Sequence, residues 1–178
     1  SYSQRKVGLK ASGLYKNTNY LLDIGDFHTN GYRVHSAADR FNANSKIKFR
    51  PVSDSVITFV ANNVNLSAQD PLGLTAAQLA ANPKQAGNNA ISQNTRKTVL
   101  QTQTGFTIDT RIDQKNQLLF TPYYGQRHVT QFLAATNNGV IDLKRDFYGM
   151  DSKWIHKDQL IGMPLTFVGG VDFNENDD

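Results

Sequence analysis

"RFNANSKIKFRP", Arg40 to Pro51, is two sequences interleaved. Every second residue from Phe41 gives Phe41, Ala43, Ser45, Ile47 and Phe49; the others are Arg40, Asn42, Asn44, Lys46, Lys48 and Arg50. Successive side chains on a strand point to opposite faces. The stretch therefore predicts a strand with one apolar wall and one cationic, amide-rich wall. In a soluble sandwich the apolar wall would face a second sheet and the polar wall would face water. In an outer-membrane barrel the apolar wall would face lipid and the polar wall a wet or plugged lumen. Which wall is inside decides the class of protein.

Strand length favours the barrel. Phe41 to Phe49 spans roughly 26 Å at ~3.3 Å per residue, or about 20 Å when tilted by ~40°. That approaches the ~25 Å apolar band of such barrels and exceeds the ~5–6 residues of an ordinary strand. The same alternation recurs along the chain. Strands are predicted over Lys6–Tyr15, Asn19–Phe27, Arg40 to the turn Arg50–Asp54, Ser55–Leu66, Arg96–Asp109, Gln117–Leu133, Val140–Trp154 and Gly162–Asn174. Pro122 within the sixth predicts a bulge or a sheet edge. "IHKDQ" predicts the last turn, and "ATNNG" the connection before the seventh strand. Ser67–Thr95 interrupts the pattern and carries a short helix in "LTAAQLAANP", capped by Thr75 and ended before Pro83. Tight turns mostly follow odd strands and long polar loops even ones, which places the long loops at one end of an up-and-down sheet. Tyr15, Tyr20, Phe49 and Trp154 sit beside predicted tight turns, as an interfacial aromatic girdle would.

Composition sets wide bounds. The chain has 178 residues, a net charge of +4 and no cysteine, which excludes disulfides and cysteine-based metal or redox sites. No run reaches the ~18 apolar residues of a membrane helix, which says nothing about spanning strands. The chain opens on Ser1 rather than Met and stops at "NENDD"; the expectation is a piece of a longer protein, with any export signal outside it.

Four segments carry a family resemblance: "TNGYRVHSAADRFNANSKIKFRP" (29–51), "AQDPLGLTAAQLAANPKQ" (68–85), "NTRKTVLQTQTGFTID" (94–109) and "DLKRDFYGMDSKW" (142–154). In order and spacing they resemble TonB-dependent outer-membrane receptors of the ferric siderophore type. The resemblance implies an all-β fold: an antiparallel, up-and-down transmembrane β-barrel segment of about eight strands within a barrel of about 22. Residues 1–178 would form one partial barrel domain, without the plug, the TonB box or the closing aromatic strand. It also implies a bacterial outer-membrane location, a small-molecule ligand such as a ferric chelate, and contact with membrane lipid. The TonB complex would be engaged through an N-terminal region outside this segment, and no resident cofactor is implied. A piece of this kind is not expected to transport anything by itself.

On that reading Arg40, Lys46 and Lys48 face the lumen with Asn42 and Asn44, giving a positive field that concentrates anions. Candidate ligand contacts are Tyr32, Arg33, His35 and Arg40 around the first long loop, Arg127 and His128 on the upper sixth strand, and Lys144 and Arg145 at the start of the seventh. "DPLGLT" is either a fixed turn shaping the mouth or simply Pro71 and Gly73 turning the chain before the helix. His28, His35, His128 and His156 show no metal-ligand spacing. An enzyme would need a nucleophile–base or paired-carboxylate arrangement. Asp146, Asp151 and His156 lie close in sequence, but alternation divides them between two faces. A nucleic-acid surface is not expected, because the basic residues lack interleaved aromatics. The remaining alternative is a soluble β-sandwich that binds sugars or proteins.

Overall fold

The computed structural model describes residues 2–135 and 139–178. Part of the "ATNNG" connection lies outside the described residues. The strands are β1 (Arg5–Tyr15), β2 (Thr18–Thr29), β3 (Ala38–Val52), β4 (Ser55–Gln69), β5 (Arg96–Arg111), β6 (Asn116–Phe132), β7 (Val140–Leu160) and β8 (Met163–Asp177), with one helix, α1 (Ala76–Ala81). All eight strands form a single sheet in the order β1 to β8, and each antiparallel pair is adjacent in sequence. Among the described residues there is no second sheet, so the sandwich alternative has nothing to pack its apolar face against.

Register sorts every strand residue onto one of two walls. Phe49 is level with Ile57, Ile57 with Ile108 and Ile108 with Phe120. Ile47 is level with Tyr20 and Phe59. Phe41, Ile47, Phe49, Phe59 and Phe106 are 38–42% exposed, although each carries a large apolar side chain. The belt is bounded. Nearer the long loops the same wall turns polar, with Asp26, Asp39, Asn65, Asp142, Asp146 and Glu175. On β8 the apolar run Met163–Phe173 spans ten residue steps, roughly 33 Å of strand and about 25 Å in height after tilting, the thickness of a lipid-facing band. The bonding needs of the backbone agree with this: each interior strand is paired on both sides, as a spanning sheet in hydrocarbon requires.

The opposite wall carries Lys10, Arg40, Lys46, Lys48, Arg127, Arg145, Lys153 and Lys157. It is also where the sheet is tightest. Gly8, Gly25, Gly105, Gly125, Gly149 and Gly170 fall on it, against Gly13 and Gly169 on the apolar wall. Side chains converge on the concave side of a curved sheet, so small residues belong there. Tyr123 lies between Gly105 and Gly149, its register partners on β5 and β7, and the Phe147 ring covers Gly125. A Cβ on Gly125 would meet the Phe147 ring at 2.2 Å. The cationic wall is thus the inner one.

Several boundaries differ from the sequence expectation. "IHKDQ" is not a turn: β7 continues to Leu160 and reverses at Ile161–Gly162, both at positive φ. The strand simply runs on past the apolar band, where its outer side chains turn polar. Pro122 produces neither bulge nor edge. It lies on an interior strand, and the β5–β6 register is the same on both sides of it, with only the Phe106 and Thr107 pairings missing from the ladder. The register shift falls instead between Phe49 and Val52, next to Pro51. The four-residue turn after β5 is organised by Asp113. The Asn116 side-chain amide, then the Lys115 backbone N–H, donate to its carboxylate and hold its pKa below the ordinary aspartate value. The helix is as expected, with Thr75 and Gln78 closing a reciprocal capping box.

Candidate functional site

The eight candidate residues separate into three places. The first is the long-loop end. Arg33 spends its guanidinium on backbone carbonyls of the β4–β5 loop: Nε donates to Gln85 (2.9 Å), and the two terminal nitrogens to Leu72 (2.7 Å) and Pro71 (3.0 Å). His35 donates from Nε2 to the Thr95 carbonyl at 2.8 Å. The Val34 N–H donates to Lys84 at 2.8 Å. Thr95 is fully buried and donates its hydroxyl to the Asp70 carbonyl at 2.6 Å. Gln93 reaches the third loop through the Ala135 carbonyl at 3.0 Å. "DPLGLT" is therefore a clamped piece of backbone: Asp70 makes a local turn by accepting the Leu72 N–H, and Pro71 and Leu72 supply two of the three carbonyls that hold Arg33. Arg33 and His35 fasten one loop to the next. Tyr32 stays 48% exposed and meets Tyr2 edge to face at 5.4 Å.

Charge-assisted hydrogen bonds are worth roughly 1.5–3 kcal/mol each when desolvated, and those of Arg33 are only part-buried. Arg33→Ala is expected to cost the loop assembly about 2 kcal/mol in local opening free energy. In hydrogen exchange, amides at Gly87 and Asp70 should lose protection while the β3–β6 ladder keeps its own. Unchanged protection in the loop would refute the clamp.

The second place is the outer wall above the apolar belt. His128 and Lys144 are direct cross-strand partners there, on the same wall as Phe41. His128 Nε2 lies 2.5 Å from Asp142 Oδ1. The sequence reading put this pair in the upper lumen; neighbouring residues on a strand cannot share a wall, so only Arg127 and Arg145 can be there.

The third place is the upper inner wall. Register sets Arg127 directly opposite Arg145, with Gln101 next to Arg127 on β5. Like charges directly opposed destabilise a sheet. Arg145 is relieved by the Asp178 carboxylate, which accepts from both its Nε and a terminal nitrogen. Arg127 is exposed and, among the described residues, pairs with no carboxylate. One step nearer the loops on the same wall, Arg40 stands 5.9 Å from the Phe27 ring. A cavity of about 310 Å³ at the Arg127 level is lined alternately by both walls, His128 and Lys144 included, so it does not gather the four charged residues on one side. Among the described residues no cluster of His, Asp or Glu is arranged to hold a metal ion. Asp146 and His156 lie on the outer wall and Asp151 on the inner one. Sequence reading missed the partners in these places, Asp178, Thr95 and Gln93, since each is defined by residues far away in the chain.

No family model matches the chain. Its fold is similar to that of the ferric citrate transporter FecA in its unliganded crystal form, with a TM-score of 0.81 at 16% identity, covering 99% of this chain and 27% of that one. It is also similar to the ferric-catecholate import receptor Fiu from E. coli K12 in its open form, with a TM-score of 0.75 at 10% identity, covering 99% of this chain and 32% of that one. The chain thus spans between about a quarter and a third of these proteins. The fold is eight antiparallel strands matching a segment of an outer-membrane β-barrel receptor.

Proposed function

We propose that this chain is part of the barrel wall of an outer-membrane receptor that imports a ferric siderophore, or a similar scarce metal chelate or cofactor, with energy from the TonB complex. The observation that carries the reading is the inverted sheet. Large apolar side chains form a bounded belt on the convex wall, with no second layer over them among the described residues, while cations line the concave one. Fold similarity to ferric citrate and ferric-catecholate importers supports the same reading.

The parts have physical roles in such a receptor. The belt solvates the wall in lipid. The inner arginines and lysines raise the local concentration of an anionic chelate and can hold its oxygens in forked pairs. The clamped loops give the mouth a fixed rim, so less ordering entropy is lost when a ligand is captured. The TonB complex would act on an N-terminal region outside this segment.

The test is uptake of radiolabelled iron, supplied as citrate, catecholate and hydroxamate chelates, by cells that carry the complete gene or lack it. Saturable uptake of at least one chelate, lost with the gene and lost when TonB is removed, is the expected result. Uptake of every chelate unaffected by deletion would refute the reading, as would a full-length product that partitions into the soluble fraction without detergent.

A further inference from the structure

We propose that the outer wall, just above its apolar belt, seats the glycosyl headgroup of a membrane lipid whose acyl chains lie along the belt. The inference concerns the lipid around the wall rather than the imported ligand, and rests only on the membrane placement within the uptake reading.

Two tyrosines mark the top of the belt. Tyr124 and Tyr148 are cross-strand partners on β6 and β7, both exposed on the outer wall. Tyr148 meets Phe173, the last apolar residue of β8 on that wall, at 6.5 Å. Amphipathic rings of this kind sit where hydrocarbon gives way to headgroups. The cavity of about 310 Å³ begins one row higher. Register lays its outward side chains in two rows across β5, β6 and β7: Thr102, Gln126 and Asp146, then Leu100, His128 and Lys144. Gln101, Arg127 and Arg145 lie between the rows but point to the other wall, so to a cavity on this side they give only backbone, as its floor. A molecule held there faces the membrane.

The lining suits a polyol. Hydroxyl groups both donate and accept, so they need partners of both kinds. Asp146 is an oriented acceptor: its Oδ1 accepts from the Tyr124 hydroxyl at 2.7 Å and the Gln126 amide at 2.8 Å, while among the described residues its Oδ2 accepts nothing. Thr102 accepts from the Asn63 amide at 2.9 Å, which leaves its own O–H to donate. Lys144 makes no ion pair among the described residues and offers only donors. Leu100 is 49% exposed on a stretch of wall that is otherwise polar, with Asn65, Thr98, Thr102 and His128 around it, and gives the apolar face of a sugar ring a surface to rest on. Lys144 and Asp146 offset each other in charge and His128 is engaged with Asp142, so the cavity favours a neutral head over a strongly anionic one. Its volume lies at the lower end of ligand pockets, which suits one ring. A phosphoethanolamine head would use Lys144 and Asp146 and leave Thr102, Gln126 and Leu100 idle. The belt directly below receives the chains, so head and chains rest on one continuous surface.

The experiment is native mass spectrometry of the purified full-length protein, released from nanodiscs that hold equal amounts of glucosyl diacylglycerol, phosphatidylethanolamine and phosphatidylglycerol with the same acyl chains. Retention of the glucosyl lipid at about tenfold over the others is expected. Lys144→Gln with Asp146→Asn, which keeps size and an acceptor for Tyr124, should remove most of that preference, as loss of charge-assisted hydrogen bonds predicts. Glu175→Gln, on the same wall but outside the cavity, should leave it unchanged. Equal retention of the three lipids, preference for either phospholipid, or a glucosyl preference unmoved by the double variant would overturn the proposal and leave the uptake reading intact. Methyl glucoside that competes as well as the glucosyl lipid would assign the cavity to a soluble sugar and also overturn it. A full-length protein that does not enter nanodiscs would bring down the uptake reading itself.

Discussion

Gly149→Val should prevent the full-length protein from reaching its folded, heat-modifiable form. A Cβ at Gly149 would sit 2.3 Å from the Phe173 carbonyl oxygen and 2.6 Å from the Tyr123 hydroxyl. The hydroxyl can swing away, but the carbonyl belongs to the β7–β8 ladder and cannot move without breaking it. Overpacking of this kind costs about 3 kcal/mol or more, and valine adds two further methyls. The readout is the fraction of full-length protein that migrates as compact barrel on unheated gels, together with the urea midpoint in lipid. Gly8→Ala is the control. It lies on the same inner wall, but its new Cβ meets only the Ile24 carbonyl oxygen, at an ordinary 3.6 Å. Normal folding of Gly149→Val would show that the wall is less tightly curved at Tyr123 than described.

If the proposed receptor captures an anionic ferric chelate, reversing both arginines, Arg127→Glu with Arg145→Glu, is expected to weaken that capture by about 100-fold, or ~2.7 kcal/mol. Two unit charges close to an anionic ligand change sign, and at an effective dielectric near 20 each is worth a few kcal/mol at ~6 Å before salt screening. The loss should shrink as ionic strength rises. His128→Glu, whose side chain lies on the outer wall, should weaken capture much less than the inner reversal. Equal losses from the inner and outer changes would argue against an inner anion site.

The walls could be read from residues alone because their signal is local. Phe41, Ile47 and Phe49 alternate with Lys46 and Lys48 within ten residues, and no distant partner is needed to see it. The helix cap at Thr75 was equally legible, since its partner Gln78 is three positions away. The errors share a cause. The polarity of "IHKDQ" predicts a turn where β7 in fact continues, because a strand that leaves the apolar band has polar residues on both walls and loses its alternation. The missing N–H of Pro122 predicts an irregularity, yet the long β5–β6 ladder spans the gap without slipping. Adjacency in sequence groups Arg127 with His128, but one residue of offset puts them on opposite walls of the sheet. The fates of Arg33 and His35 were beyond reach: their acceptors at Pro71, Leu72, Gln85 and Thr95 lie 38 to 60 residues away, on a loop with no periodic signal.

The order β1 to β8 also bears on how the chain comes together. Every strand bonds only to its neighbours in sequence, so no crossover has to be threaded and each pairing closes a short piece of chain, apart from the 26-residue β4–β5 connection. Loop closure grows costlier only slowly with length, and low contact order favours fast folding. Hairpins β1–β2, β3–β4, β5–β6 and β7–β8 can therefore zip independently from their tight reversals. The slowest event expected within this segment is the joining of β4 to β5, the one seam that must wait for the clamped loop to find its shape.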